Sequence, residues 1–114
     1  MAGGNPQARI GDYSQGHWIG IFYFPPTPLI EGSHDTFSCC IPASRVGDAA
    51  EEHFGWMFGI IPLPSFKHTP HAATGAPCNL INFLPAFRVG DSYDCGDTQA
   101  QGCPVHLVDD VCSP

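Results

Sequence analysis

Basic side chains are almost missing from this sequence. Four Lys and Arg stand against eleven Asp and Glu, a formal net charge of −7. A surface that neutralises phosphates needs clustered cations, so nucleic acid is not an expected partner. Long apolar runs are missing too. The run over residues 18–24 ends at Pro25-Pro26 and the one from Phe54 reaches only Leu63, both far short of the roughly 18 residues that cross a bilayer as a helix. Met1-Ala2-Gly3-Gly4 runs into polar residues with no apolar segment behind it. No signal peptide is therefore expected, and synthesis in the cytoplasm is. In that compartment the six cysteines are expected as thiols or metal ligands rather than disulfides. Stretches free of Pro and Gly are short, because 12 Pro and 13 Gly punctuate 114 residues. Pro removes a backbone donor and Gly weakens element interiors, which excludes long helices.

What remains is 43% hydrophobic, too apolar for a disordered chain. Short strands joined by many turns fit this composition, in one domain spanning residues 1–114. So small a core is marginal unless a disulfide, a metal or a partner chain staples it.

The chain carries one repeated stretch. Asn5-Pro6-Gln7-Ala8-Arg9-Ile10-Gly11-Asp12, Ile41-Pro42-Ala43-Ser44-Arg45-Val46-Gly47-Asp48 and Leu84-Pro85-Ala86-Phe87-Arg88-Val89-Gly90-Asp91 share the pattern x-Pro-x-x-Arg-(Ile/Val)-Gly-Asp, 36 and then 43 residues apart. Repeats of this kind mark stacked supersecondary units. The expected architecture is mostly β: one small domain of three similar β-units. Each Gly-Asp reads as a turn. Residues 36–41 and 78–84 read as strands feeding the second and third motifs, and residues 49–53 as the most helix-compatible piece. The aromatic runs containing Trp18, Phe22, Phe24, Trp56 and Phe58 are expected mainly in the core, with some left for an interface. Arg9, Arg45 and Arg88 invite an anion-binding reading. The preferred one is structural, each Arg pairing with a carboxylate or carbonyls at its turn.

A second regularity follows the motifs. His17 lies five residues after Asp12, His53 five after Asp48, and Cys95 four after Asp91. If the units converge at one end, these side chains converge with them, and His68 supplies a fourth. Three His and one Cys form a closed tetrahedral set of the kind that holds structural Zn²⁺, which would stabilise a domain with so small a core.

The motif copies resemble the PAAR family, named for a Pro-Ala-Ala-Arg motif that stands here as Pro6-Gln7-Ala8-Arg9, Pro42-Ala43-Ser44-Arg45 and Pro85-Ala86-Phe87-Arg88. Phe24-Pro25-Pro26-Thr27-Pro28-Leu29-Ile30-Glu31-Gly32-Ser33 and Ala73-Thr74-Gly75-Ala76-Pro77 resemble the family's Gly-Ser-Pro turns, and Leu80-Ile81-Asn82-Phe83-Leu84-Pro85 one of its strands. The resemblance covers essentially the whole chain. It implies a conical β-structure, pinned by a metal near its vertex, whose base sits on a trimeric β-helical spike. Such cones sharpen phage tails, type VI secretion machines and related contractile injection systems. The implied partners are the trimeric spike or hub protein and, transiently, the target cell membrane. The implied place is the distal tip of the spike in the assembled particle.

The resemblance also implies a zinc, with iron the alternative ion, held by His17, His53, His68 and Cys95. His71 is the runner-up to His68. The sequence departs from the family at Cys39-Cys40, where Asn-Gly is usual, and at Gly102-Cys103-Pro104-Val105-His106, where the Gly-Ser-Pro turn is lost. Cys103 or His106 therefore competes for a ligand position. The expected role is structural and non-enzymatic. The rival readings are a small metal-dependent enzyme with an open coordination position and a disulfide-rich secreted binding module.

Overall fold

The computed structural model describes residues 4–108; Cys112 and the end of the last unit lie outside them. The described chain is all β, with no helix. Ten strands follow one another: β1 Asn5–Gln7, β2 His17–Ile19, β3 Phe22–Phe24, β4 Phe37–Ser38, β5 Ile41–Pro42, β6 His53–Met57, β7 Ile61–His68, β8 Ala76–Ile81, β9 Leu84–Ala86 and β10 Cys103–Val108. They form a four-stranded sheet in the order β2-β3-β6-β7 and three two-stranded sheets, β1-β10, β4-β5 and β8-β9. Every pairing is antiparallel.

The motif copies hydrogen-bond to one another in a closed ring. The Ala8 amide donates to the Phe87 carbonyl (2.9 Å), Phe87 to Ser44 (3.1 Å), and Ser44 back to Ala8 (2.9 Å). A second ring lies alongside: Ile10 donates to Pro42 (3.0 Å), Val46 to Pro85 (2.8 Å) and Val89 to Pro6 (2.9 Å). The fully buried Gln7 plugs the first ring, its Nε2 standing 2.9, 2.9 and 3.0 Å from the carbonyl oxygens of Ala8, Ser44 and Phe87. Gly32, Gly75 and Gly102 let the backbone approach this ring closely. A Cβ at these positions would stand 3.0, 2.5 and 2.8 Å from the carbonyl oxygens of Ala43, Ala86 and Gln7.

Each motif closes with the same turn. Gly11, Gly47 and Gly90 have φ of 91°, 97° and 92°, the positive φ that the third position of a type II turn requires. Each Asp amide donates to its Arg carbonyl at 3.0 Å. The Asp carboxylate then accepts from the Arg backbone amide and, through both oxygens, from the guanidinium: Arg9–Asp12, Arg45–Asp48 and Arg88–Asp91. The structural reading of the arginines holds. These forks are largely shielded from water, so they contribute more than exposed ion pairs.

The main core cluster is Ala8, Leu29, Ala50, Ala72, Phe87 and Tyr93. Its small residues suit a body where three segments crowd one axis. The chain crosses this body in both directions. From Phe24 it passes Thr27 (bonded to Ser14), Leu29 (bonded to Gly11 and Asp12) and Ser33 (bonded to Ala43) before reaching β4. From β5 it returns through Ser44 and Asp48 to His53. The β4-β5 and β8-β9 hairpins therefore leave the body at one end, and the four-stranded sheet leaves it at the other.

Four expectations fail. Residues 49–53 form no helix: Ala49 and Ala50 bridge to His71 and Leu29, and His53 opens β6. The strands expected over 36–41 and 78–84 are hairpins. They turn at Cys39-Cys40 (φ 51° and 67°) and Asn82-Phe83 (φ 52° and 69°), where two successive positive φ values make the turn that matches strand twist. The aromatic runs are not mainly core. Phe24 is buried, but Trp18 and Phe58 are exposed, because β2-β3 and β6-β7 project as hairpins beyond the body. Finally, Cys39 and Cys103 are joined by a disulfide, their Cα atoms 6.0 Å apart. The β4-β5 turn and the start of β10 meet at the same end, which linear spacing does not reveal.

Candidate metal centre

Where the four-stranded sheet joins the body, its innermost residues are histidines. His17 opens β2 and pairs with Phe24 at the end of β3. His53 opens β6 and pairs with His68 at the end of β7. Cys95 reaches the same place from the turn after the third motif, where the Gly96 amide bonds the Tyr93 carbonyl at 3.1 Å. The ligand atoms of His17, His53, His68 and Cys95 all lie within 4.8 Å of one another. That is the scale set by zinc bonds of about 2.0–2.3 Å. The three residues named from the motif register, with His68, are thus the four that the fold gathers.

Neighbouring groups orient them. His53 Nδ1 lies 2.9 Å from the Pro25 carbonyl. A carbonyl only accepts, so Nδ1 carries the proton and Nε2 presents its lone pair. That lone pair faces His68 Nε2 at 2.6 Å, a contact that needs a proton between the two nitrogens or a cation in its place. Phe24, buried, floors the site: its ring is stacked on His17 (centroids 5.0 Å, 10° between planes) and lies 4.6 Å from His68 and 5.1 Å from His53.

Within the group, His17 is left unsatisfied. Both of its ring nitrogens are buried without a hydrogen-bond partner, as is Asp97 Oδ2, 3.7 Å from His17 Nδ1. Buried orphans of this kind are rare and point to a missing partner. A cation bound by the imidazole would satisfy it, and the Asp97 carboxylate lies on the side where an acceptor for the other ring nitrogen belongs.

Burial pushes the pKa of His17 down against the opposing pull of Asp97, and burial with the neighbouring His53 and His17 pushes His68 down. Burial also pushes the Cys95 thiol up, against the opposing pull of a backbone hydrogen bond at Asp97. Neutral imidazoles are ready to bind a cation, whereas the thiol must lose its proton to do so. An N₃S donor set of this kind fits a four-coordinate metal ion.

The competing ligands are elsewhere. His71 is exposed beside Asp94, His106 Nδ1 lies 2.6 Å from Ser38 Oγ, and Cys103 is in the disulfide. Sequence reasoning missed Asp97, Pro25 and Phe24. Asp97 lies two residues past Cys95, yet nothing in the sequence says which way its side chain points. No protein-family model matches the chain, and no curated protein matches it.

Proposed function

We propose that this protein is a structural tip that caps and sharpens the trimeric β-helical spike of a contractile tail or injection machine. A zinc ion, or alternatively iron, would be held by His17, His53, His68 and Cys95. The observation that carries this reading is the closed ring in which Ala8, Ser44 and Phe87 bond one to the next. A single chain with three similar segments around one axis offers three similar edges. It can therefore sit on a three-fold shaft without breaking the shaft's symmetry.

Three features support the reading. The molecule is long for its mass, 49 × 28 × 22 Å. The end bearing the β4-β5 and β8-β9 hairpins exposes Phe37, Leu80, Phe83, Leu84, Val105 and Leu107, apolar surface suited to burial against a partner. Docking there would also cover the short strand edges of those hairpins. The metal group sits between the body and the outer sheet, where a cross-link would stop the projecting hairpins from fraying under load.

The test is assembly with the trimeric spike protein of the machine that carries this chain, measured by native mass spectrometry. One chain per trimer is expected. Phe83→Asp, at a hairpin turn position 93% exposed, should weaken the complex while leaving the metal content intact. Failure of the unmodified, metal-loaded chain to bind the trimer would overturn the reading.

A further inference from the structure

The outer sheet has a graded chemistry that neither the ring nor the metal group explains. Its register places residues in rows across the strands. The outermost row is Ile19, Phe22, Met57 and Ile61; the next is Trp18, Tyr23, Trp56 and Pro62; the histidines lie behind. Beyond the first row the two turns present Ile21, Phe58 and Ile60, of which Phe58 is 61% and Ile60 74% exposed. No Asp, Glu, Lys or Arg occurs in residues 13–30 or 53–66. An apolar cap, then a Trp-Tyr-Trp band, with the histidines behind, follows the order of side chains found across a membrane–water interface.

We infer that this end of the sheet is a lipid-contacting surface that seats in the interfacial layer of a zwitterionic bilayer. The inference deepens the tip reading by naming what the tip touches, and rests on that reading for its setting alone. Two rows at about 3.3 Å per residue, with the turn ahead of them, reach roughly 7–10 Å, the depth of an interfacial element. Deeper entry is opposed by the open edges of β2 and β7, whose outward backbone groups would find no partner in hydrocarbon. Charge selects the lipid. The inserted rows carry none, while the whole chain carries −7, so an anionic surface repels the protein and a zwitterionic one does not.

The experiment uses the full, metal-loaded chain with phosphatidylcholine vesicles, read by co-flotation and by tryptophan emission, since Trp18 and Trp56 both lie in the second row. Binding with a blue shift is expected, and weaker binding to phosphatidylglycerol vesicles at low salt. Phe58→Asp with Ile60→Asp should lower the partition at least about tenfold with unchanged metal content and circular dichroism. Phe83→Asp, at the opposite end, should leave it unchanged. Phe58→Asn with Ile60→Ser serves as a second, uncharged pair should the first misfold. Absence of vesicle binding overturns the inference. So does equal loss with Phe83→Asp, or self-association through the sheet with no partition into lipid. None of these results bears on binding to the spike trimer, which is measured without lipid.

Discussion

Gln7→Glu tests whether the ring at the centre of the fold is held as its geometry implies. The Gln7 amide nitrogen stands within 3.0 Å of three carbonyl oxygens and the side chain is fully buried. Glu has the same shape, but its carboxylate has no N–H to donate. Kept neutral, the acid retains one O–H donor, so one of the amide's two donated bonds is lost, at a cost of roughly 1 kcal/mol. An ionised carboxylate against three carbonyl oxygens would cost several kcal/mol more, so the folded variant keeps the introduced carboxyl neutral, its pKa raised. The sign follows from proton binding. Below about pH 4.3 both states are protonated and only the lost donor counts. Above it the unfolded state ionises while the folded state does not, so stability falls by about 1.4 kcal/mol per pH unit up to the folded pKa. Gln7→Met removes the donors without adding a charge. Urea unfolding of both variants and the parent at pH 5 and pH 7 isolates the charge. The gap between Gln7→Glu and Gln7→Met should widen by about 2–3 kcal/mol over that interval. A gap that does not change, or a Gln7→Glu protein as stable as the parent at pH 7, would refute the reasoning.

Elemental analysis should find about one zinc or iron per chain. In the metal-free protein the depressed pKa values of His17 and His68 mean that the unfolded state takes up protons first as pH falls below about 6.5. The thermal midpoint of that form should drop from pH 7.5 to 5.5, and a flat profile would count against the buried imidazoles. Asp97→Asn should weaken metal binding about 10–100-fold in competition with a chromophoric chelator; unchanged affinity would mean that Asp97 does not hold His17 for the metal. Reducing the Cys39–Cys103 disulfide, which spans 64 residues, should lower stability by about 4 kcal/mol on chain-entropy grounds. Denaturation with and without reductant measures this, and equal midpoints would place the restraint elsewhere.

By itself the sequence determined the β character, the repeated turn and the four metal-site residues. These are legible because they depend on local chemistry. A Gly-Asp turn forms wherever Gly can take positive φ, and an offset of four or five residues from three like turns carries His17, His53 and Cys95 to like places. His68 lay outside that register and was legible only as a spare ligand between the second and third units, since it ends an eight-residue strand rather than following a turn. The tertiary structure alone decided the rest. Gln7 stands where the other motifs have Ala43 and Ala86, and nothing in one copy says that its side chain fills the axis of all three. Cys39 finds Cys103 because a hairpin turn and a terminal strand meet across 64 residues, a pairing that six cysteines leave open among many. The aromatic runs have core composition, yet they face water because their hairpins extend past the body, and an apolar residue is buried only where the fold brings something to cover it. That last distinction separates Phe24, packed under three histidines, from Phe58, at the exposed turn between β6 and β7.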